Sequence, residues 1–171
     1  MVKLEKGEVA DPEENKIWKL LEEVCDPEIP VLNVVEMGIV RNVEISGDDI
    51  LVTITPTYSG CPAMHAIEED IKAVLNAGYG PSLKVITSLS PAWTTDWMTD
   101  EARTKLEKEG IAPPQKGSAD KALLMGKLRD VKCPRCASTD TMMISQFGST
   151  SCKSLYKCQA CLEAFDYFKC I

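Results

Sequence analysis

The chain has 171 residues, of which 44% are hydrophobic and 26% charged, and its net charge is -7. This composition is that of an ordinary globular protein and argues against a disordered chain, a collagen-like repeat and a membrane protein. An acidic chain without a basic stripe is also a poor candidate for nucleic-acid binding. The N-terminus is charged and has no apolar stretch, so we expect no signal peptide and a cytoplasmic location.

The charge is unevenly distributed along the chain. Residues 131–171 carry five Lys or Arg and three Asp or Glu, whereas residues 1–130 carry 14 and 23. This break near residue 130 predicts two structural units with different surfaces.

The first predicted element is a helix that begins at Asp11, which can cap it, with Pro12 in the first turn. An apolar face at helical spacing follows, and the prolines of residues 26–30 end the helix. Residues 38–45 and 50–55 are rich in β-branched side chains and flank a turn, which predicts a hairpin.

A second helical pattern follows residues 60–62 and ends near Gly78. Residues 83–89 alternate as a third strand, and a further helix is expected over residues 99–109. The predicted order is α-β-β-α-β-α, typical of an α+β domain whose small three-stranded sheet packs with helices. We expect this domain over residues 11–110, a linker over 111–130 and a Cys-rich domain over 131–171.

Six of the eight cysteines lie in the last 39 residues. Two Cys-x-x-Cys pairs among them have the spacing of a zinc ribbon, in which paired turns supply four thiolates: Cys133, Cys136, Cys158 and Cys161. A segment of this size rarely folds on its own apolar core, so a structural metal is physically motivated. A disulfide framework is the weaker alternative in a cytoplasmic protein.

Cys152 and Cys170 are surplus to this set of four. They fit either buried apolar thiols or additional ligands of an iron–sulfur cluster, and spacing does not decide between these two.

Two features of the first domain are candidates for chemistry. Cys61 is expected at the start of a helix, where backbone N–H groups and the helix dipole stabilise a thiolate that can bind metal. Asp26 and Glu28 place two carboxylates in a rigid turn, where they can bind iron or orient a loop. The alternatives are an inert packed thiol and a solvated turn.

Trp93 and Trp97 lie four residues apart. They either cover the sheet or form an exposed aromatic patch for docking a partner.

Several longer sequence motifs of this chain resemble those of known protein families. Residues 13–89, with the Asp-Pro-Glu-Ile-Pro and Gly-Cys-Pro motifs that begin at Asp26 and Gly60, resemble SufT-type iron–sulfur assembly domains. Residues 90–98, 110–114, 147–158 and 165–170 resemble the PaaD family, the D component of bacterial phenylacetyl-CoA epoxidase systems, so the resemblance covers nearly the whole chain.

The resemblance implies an accessory component of a multicomponent di-iron monooxygenase of aerobic phenylacetate breakdown, which assists iron or iron–sulfur centre assembly and catalyses no reaction of its own. Its partners would be the oxygenase and reductase components, and the resemblance also leaves room for a homodimer. Cys61 would handle transient iron or a cluster, with Asp26 and Glu28 facing it. The C-terminal cysteines, including Cys152 and Cys170, would hold zinc or an iron–sulfur cluster. A structural or coupling subunit and a cluster-bearing electron carrier are the competing functions.

Overall fold

The structure, a computed structural model, describes residues 12–79, 82–114 and 131–169. Three helices lie in the N-terminal part: α1 (Pro12–Leu21), α2 (Ala63–Tyr79) and α3 (Asp100–Lys108). Five strands accompany them: β1 (Cys25–Asp26), β2 (Ile29–Asn33), β3 (Val40–Ser46), β4 (Asp49–Ile54) and β5 (Leu83–Thr87). Asp11, the expected cap of α1, lies outside the described residues.

A three-stranded sheet in the order β3-β4-β5 forms the centre of this domain. β3 and β4 form the predicted antiparallel hairpin, and β5 runs parallel to β4. Parallel strands need a long crossover connection, which α2 supplies. Ile67, Ile71 and Leu75 recur at helical spacing in α2 and are fully buried in the core. The predicted α+β class with a three-stranded sheet is confirmed.

One small element was not predicted. β1 and β2 pair antiparallel around the turn at residues 26–29, where the Asp26 carboxylate accepts hydrogen bonds from the backbone N–H groups of Glu28 and Ile29. This turn therefore has a fixed shape, which positions the candidate carboxylates Asp26 and Glu28.

The C-terminal part is a four-stranded sheet in the order β6-β9-β8-β7. Its strands are β6 (Ile111–Ala112), β7 (Thr141–Ser145), β8 (Lys153–Cys158) and β9 (Ala164–Phe168). Ile111 and Ala112, expected within the linker, instead form a strand parallel to β9. The stretch 115–130, the remainder of the expected linker beyond Pro114, lies outside the described residues.

The two parts pack against each other. Phe168 and Cys152 from the C-terminal sheet are buried in the same apolar cluster as the N-terminal core. The ring of Phe168 meets Trp93 edge-on, with 6.1 Å between ring centroids. In the part of the chain that the structure describes, no helix is long and apolar enough to span a bilayer.

Candidate metal centres

The four cysteines of the paired Cys-x-x-Cys motifs come together at one end of the C-terminal sheet. Their sulfur atoms all lie within 4.8 Å of one another: Cys133, Cys136, Cys158 and Cys161. Among the described residues, no other group of three or more potential ligands is as close together. We call these four residues the ribbon site.

The two halves of the ribbon site have the same backbone shape. The backbone N–H of Cys133 bonds to the carbonyl of Ser138, and that of Cys158 bonds to the carbonyl of Glu163, five residues on in each case. The residue after each second cysteine, Ala137 or Leu162, has a positive φ. Such paired turns point their sulfur atoms towards a common centre.

The distances in the ribbon site fit a single metal ion. Cys133 Sγ lies 3.8 Å from Cys161 Sγ, and Cys136 Sγ lies 3.5 Å from Cys158 Sγ. A tetrahedron with zinc–sulfur bonds of ~2.3 Å has sulfur–sulfur edges of about 3.8 Å. All four are free thiols. The ribbon site is therefore a metal-binding site of the zinc-ribbon type.

The pKa values of the ribbon thiols differ from one another when no metal is bound. The backbone N–H of Cys161 donates to Cys158 Sγ and lowers the pKa of that thiol to about 7. At Cys136 the N–H of Ser138 acts in the same direction, but the neighbouring thiols prevail and raise its pKa to about 12. Binding of a cation would lower the pKa of every ribbon thiol, because the positive ion stabilises all four thiolates together.

A second cluster lies where the two parts of the chain meet. Cys61 precedes α2 and is half-buried, and the charges of Glu28 and Asp26 act on its thiol. These are the three residues of this domain that the sequence indicated as candidates for metal chemistry. We call Cys61, Asp26 and Glu28 the acidic thiol site.

The Cys61 thiol differs from the expectation of a readily formed thiolate. α2 begins at Ala63, whose backbone N–H donates to the Cys61 sulfur, as does the Thr57 hydroxyl. Burial is the larger effect and raises the pKa of Cys61, and the charges of Glu28 and Asp26 add to it. Without a cation the thiol is held protonated, so a metal ion would have to displace its proton.

Asp26 is also tuned by burial. Its side chain is 5% exposed, and desolvation raises the pKa of its carboxyl, against the opposing hydrogen bonds from Glu28 and Ile29. Asp26 therefore holds the turn in shape, while the half-buried Glu28 side chain can face a ligand.

Cys152 is not part of the ribbon site, contrary to the expectation that six cysteines act together. It is buried against the N-terminal core, and its sulfur lies 3.4 Å from Oε2 of Glu28. Burial raises the pKa of Cys152 to about 12, and the charge of Glu28 contributes. Cys170 lies outside the described residues.

The two tryptophans have different settings. Trp93 is 5% exposed and donates a hydrogen bond from Nε1 to the carbonyl of Met37, so its ring is packing and not a docking surface. Trp97 is half-buried, and the guanidinium of Arg41 lies 3.4 Å from the centre of its ring. Docking through Trp97 stays a prediction.

Several residues near the acidic thiol site escaped the sequence analysis. Tyr58 hydrogen-bonds with Ser151, and burial together with the charges of Cys61, Glu28 and Cys152 raises the pKa of its hydroxyl. A cavity of about 220 Å³ lies beside the loop between β4 and α2, bordered by residues 55–59 and by Trp93. The run of hydroxyl residues before Cys61 is a local signal, but nothing in the sequence indicates the contact with Ser151.

Comparison with known proteins gives two family matches, one in each part of the chain. Residues 8–84 match the family described as iron-sulfur cluster assembly protein. Residues 117–169 match the family described as PaaD zinc beta ribbon domain.

Two curated relatives match this chain over different lengths. The chain is 49% identical to an Escherichia coli (strain K12) protein whose name proposes it as the D component of 1,2-phenylacetyl-CoA epoxidase; the match covers 95% of this chain and 96% of that protein. It is 37% identical to a Porphyromonas gingivalis protein named Fe-S protein maturation auxiliary factor, over 54% of this chain and 90% of that protein.

A solved structure supports the fold of the first domain. It is the crystal structure of a domain of unknown function, DUF59, from Bacillus anthracis. Its TM-score is 0.51 at 31% identity, and the match covers 54% of this chain and 90% of that one.

Proposed function

The chain belongs to the PaaD family, and from that premise we propose that it is an accessory factor that assists iron or iron–sulfur centre assembly in a phenylacetyl-CoA epoxidase system. The observation that carries this proposal is the acidic thiol site. The charges of two carboxylates act on a half-buried cysteine in the domain that matches the iron–sulfur assembly family. The E. coli relative supplies the epoxidase system, and the P. gingivalis relative supplies the maturation role.

The donor set suits iron as cargo. Iron(II) accepts both sulfur and carboxylate ligands, whereas magnesium and calcium favour oxygen alone. The charges of Asp26 and Glu28 disfavour a bare thiolate at Cys61 and favour a cation beside it. The site can therefore take up a positive ion and return to a protonated thiol after release.

The ribbon site serves structure in this proposal, with zinc as its metal. The sulfur–sulfur distances of 3.5 and 3.8 Å suit one ion, whereas a cluster would insert several iron and sulfide atoms between the thiolates and spread them. A closed site with four thiolates leaves no open position for chemistry. This geometry argues against the electron-carrier alternative.

The test is made on the proposed clients. The oxygenase and reductase components are produced together with this chain, without it, or with its Cys61→Ser variant, and their iron content and epoxidation activity are measured. We expect the iron content to fall when the chain is absent or carries Cys61→Ser. Cys25→Ser is the matched control, because Cys25 is exposed and lies on the opposite face of β1 from Asp26.

The same experiment separates the competing function. Clients that contain full iron but lack activity would identify the chain as a structural or coupling subunit. Clients with full iron and full activity in the presence of Cys61→Ser would contradict the role of the acidic thiol site.

A further inference from the structure

We propose that Cys152, which the C-terminal sheet carries, completes the acidic thiol site, so that iron(II) binds between the two domains through two thiolates and the Glu28 carboxylate. This inference rests on the proposed function and adds a ligand and a location to it.

The first support is the position of Cys152. It lies in the turn before β8, is 5% exposed, and packs in the apolar cluster of the N-terminal domain. The ribbon cysteines Cys133 and Cys158 pack in a different cluster. Although it is close in sequence to Cys158, Cys152 therefore faces the other domain.

The second support is its contact with Glu28. The Cys152 sulfur lies 3.4 Å from Oε2 of Glu28 and 3.0 Å from Oγ1 of Thr150. Ionisation of a buried thiol beside a carboxylate is electrostatically costly, because it places two negative charges next to each other. A divalent cation placed between the two groups makes the same arrangement favourable.

The third support is that both thiols share the same neighbours. Cys152 is buried in the apolar cluster against which Cys61 and Tyr58 pack. The charge of Glu28 acts on both thiols. The Tyr58 hydroxyl contacts Ser151, the residue before Cys152, so loops from the two domains meet over the site.

Lys153 fixes the turn that carries Cys152. Its Nζ lies 3.4 Å from the backbone carbonyl of Glu28 and 3.1 Å from Oγ of Ser149. It also supplies the positive charge that acts on Asp26 and Cys152 in the metal-free protein. The ammonium bonds to a carbonyl, which leaves the Glu28 carboxylate available as a ligand.

The ligand chemistry selects the class of ion. Two thiolates with a carboxylate suit a borderline divalent metal such as iron(II), while hard cations avoid sulfur. On binding, each thiol loses its proton to solvent and gains a metal–sulfur bond.

The experiment uses the full chain with its ribbon metal in place and cobalt(II) as the probe, under anaerobic conditions. Cobalt–thiolate bonds absorb in the near ultraviolet in proportion to the number of thiolates. We expect one further cobalt ion to bind to the wild type, and its thiolate absorption to fall by about half in Cys61→Ser and in Cys152→Ser, since each retains one of the two sulfur ligands. Cys25→Ser should match the wild type.

The outcomes separate this inference from the proposed function. If Cys61→Ser still binds the added cobalt but shows none of its thiolate absorption, Cys152 is not a ligand, and the inference fails while Cys61 keeps its role. If Cys61→Ser leaves the absorption unchanged, both fail. If the wild type binds no cobalt beyond the ribbon metal, both fail as well.

If Cys152→Ser does not fold, Cys61→Ser still tests the inference. The thiolate absorption that remains in Cys61→Ser comes from Cys152. Iron(II) replaces cobalt in a second titration of the same proteins. We expect Cys152→Ser to weaken iron(II) binding at least about tenfold, since a direct ligand is lost. Equal affinity of the wild type and a folded Cys152→Ser protein for iron(II) would overturn the assignment of Cys152 as a ligand of the cargo ion.

Discussion

Gly38 lies so close to Trp97 that a Cβ atom added to the glycine would be 2.7 Å from Cβ of the tryptophan and 2.8 Å from its carbonyl oxygen. Gly38 also has a φ of +70°, which other residues adopt at a cost. The loop between β2 and β3 is thus packed directly against the short helical turn at Thr95–Trp97.

We expect Gly38→Ala to lower the free energy of unfolding by roughly 2–4 kcal/mol, because it adds a steric clash to the backbone strain. Gly47→Ala is the matched control, since Gly47 has a φ of +61° but nothing within 4 Å of its added Cβ. It should cost about 1 kcal/mol through backbone strain alone. Urea unfolding measures both, and equal losses would show that the contact with Trp97 is unimportant.

The ribbon site should be essential to the C-terminal sheet. Cys133→Ser removes a fully buried ligand, and structural zinc sites contribute about 10 kcal/mol or more to folding. We expect this variant to lose its metal and the hydrogen-exchange protection of β8 and β9. Metal analysis and amide exchange check this result, with Cys25→Ser as the control. Native protection in a metal-free Cys133→Ser protein would contradict the structural role.

An ion pair joins α3 to the loop after β2. The Glu36 side chain is 8% exposed, and Lys105 Nζ lies 2.8 Å from its Oε2. Lys105→Ala leaves the buried carboxylate without its cation, although the backbone N–H of Asn33 still donates to it. We expect a loss of roughly 1–2 kcal/mol in thermal or urea unfolding, a value reduced because the lysine is partly exposed. Lys108→Ala, at an exposed position of the same helix, should have little effect.

Asp26 should give the protein a distinctive pH dependence. Burial raises the pKa of its carboxyl in the folded state, so the folded protein binds this proton more tightly than the unfolded chain does. Its contribution to stability is fully present below the unfolded pKa, near 3.8, and is lost as the pH rises through the folded pKa. The amide of Asp26→Asn keeps an acceptor for the turn and does not titrate.

We therefore expect the stability of Asp26→Asn relative to wild type to increase with pH above about 4 and then to level off. Urea unfolding at a series of pH values, with the ribbon metal retained, measures this difference. A stability difference that is constant across the series would show that Asp26 is not perturbed by burial.

The sequence predicted most of the fold through local patterns. Apolar residues at helical spacing indicated α2, and β-branched runs around a turn indicated the β3–β4 hairpin. The spacing of the Cys-x-x-Cys pairs likewise predicted the ribbon site, because each turn is a local structure of a few residues. The pairing of β1 with β2 escaped notice because each strand is short and two prolines lie in the segment.

The interdomain contacts could not be predicted in this way. Cys152 and Glu28 are 124 residues apart, and their contact depends on how two sheets pack. Spacing left open whether Cys152 is a buried thiol or a ligand, and the family resemblance grouped it with the other C-terminal cysteines. The structure instead buries it against the N-terminal core. The raised pKa of Cys61 has the same origin, because the burial that outweighs the helix-terminal N–H group is set by the whole fold.

The parallel pairing of β6 with β9 has a practical consequence for dividing the protein. A fragment that starts at residue 117, where the match to the zinc beta ribbon family begins, would lack β6 and leave one edge of β9 without a partner. An unpaired strand edge is prone to join other chains, so such a fragment invites aggregation even when its metal is bound. A fragment that retains Ile111 and Ala112 keeps this edge closed, and it is the better starting point for studying the ribbon in isolation.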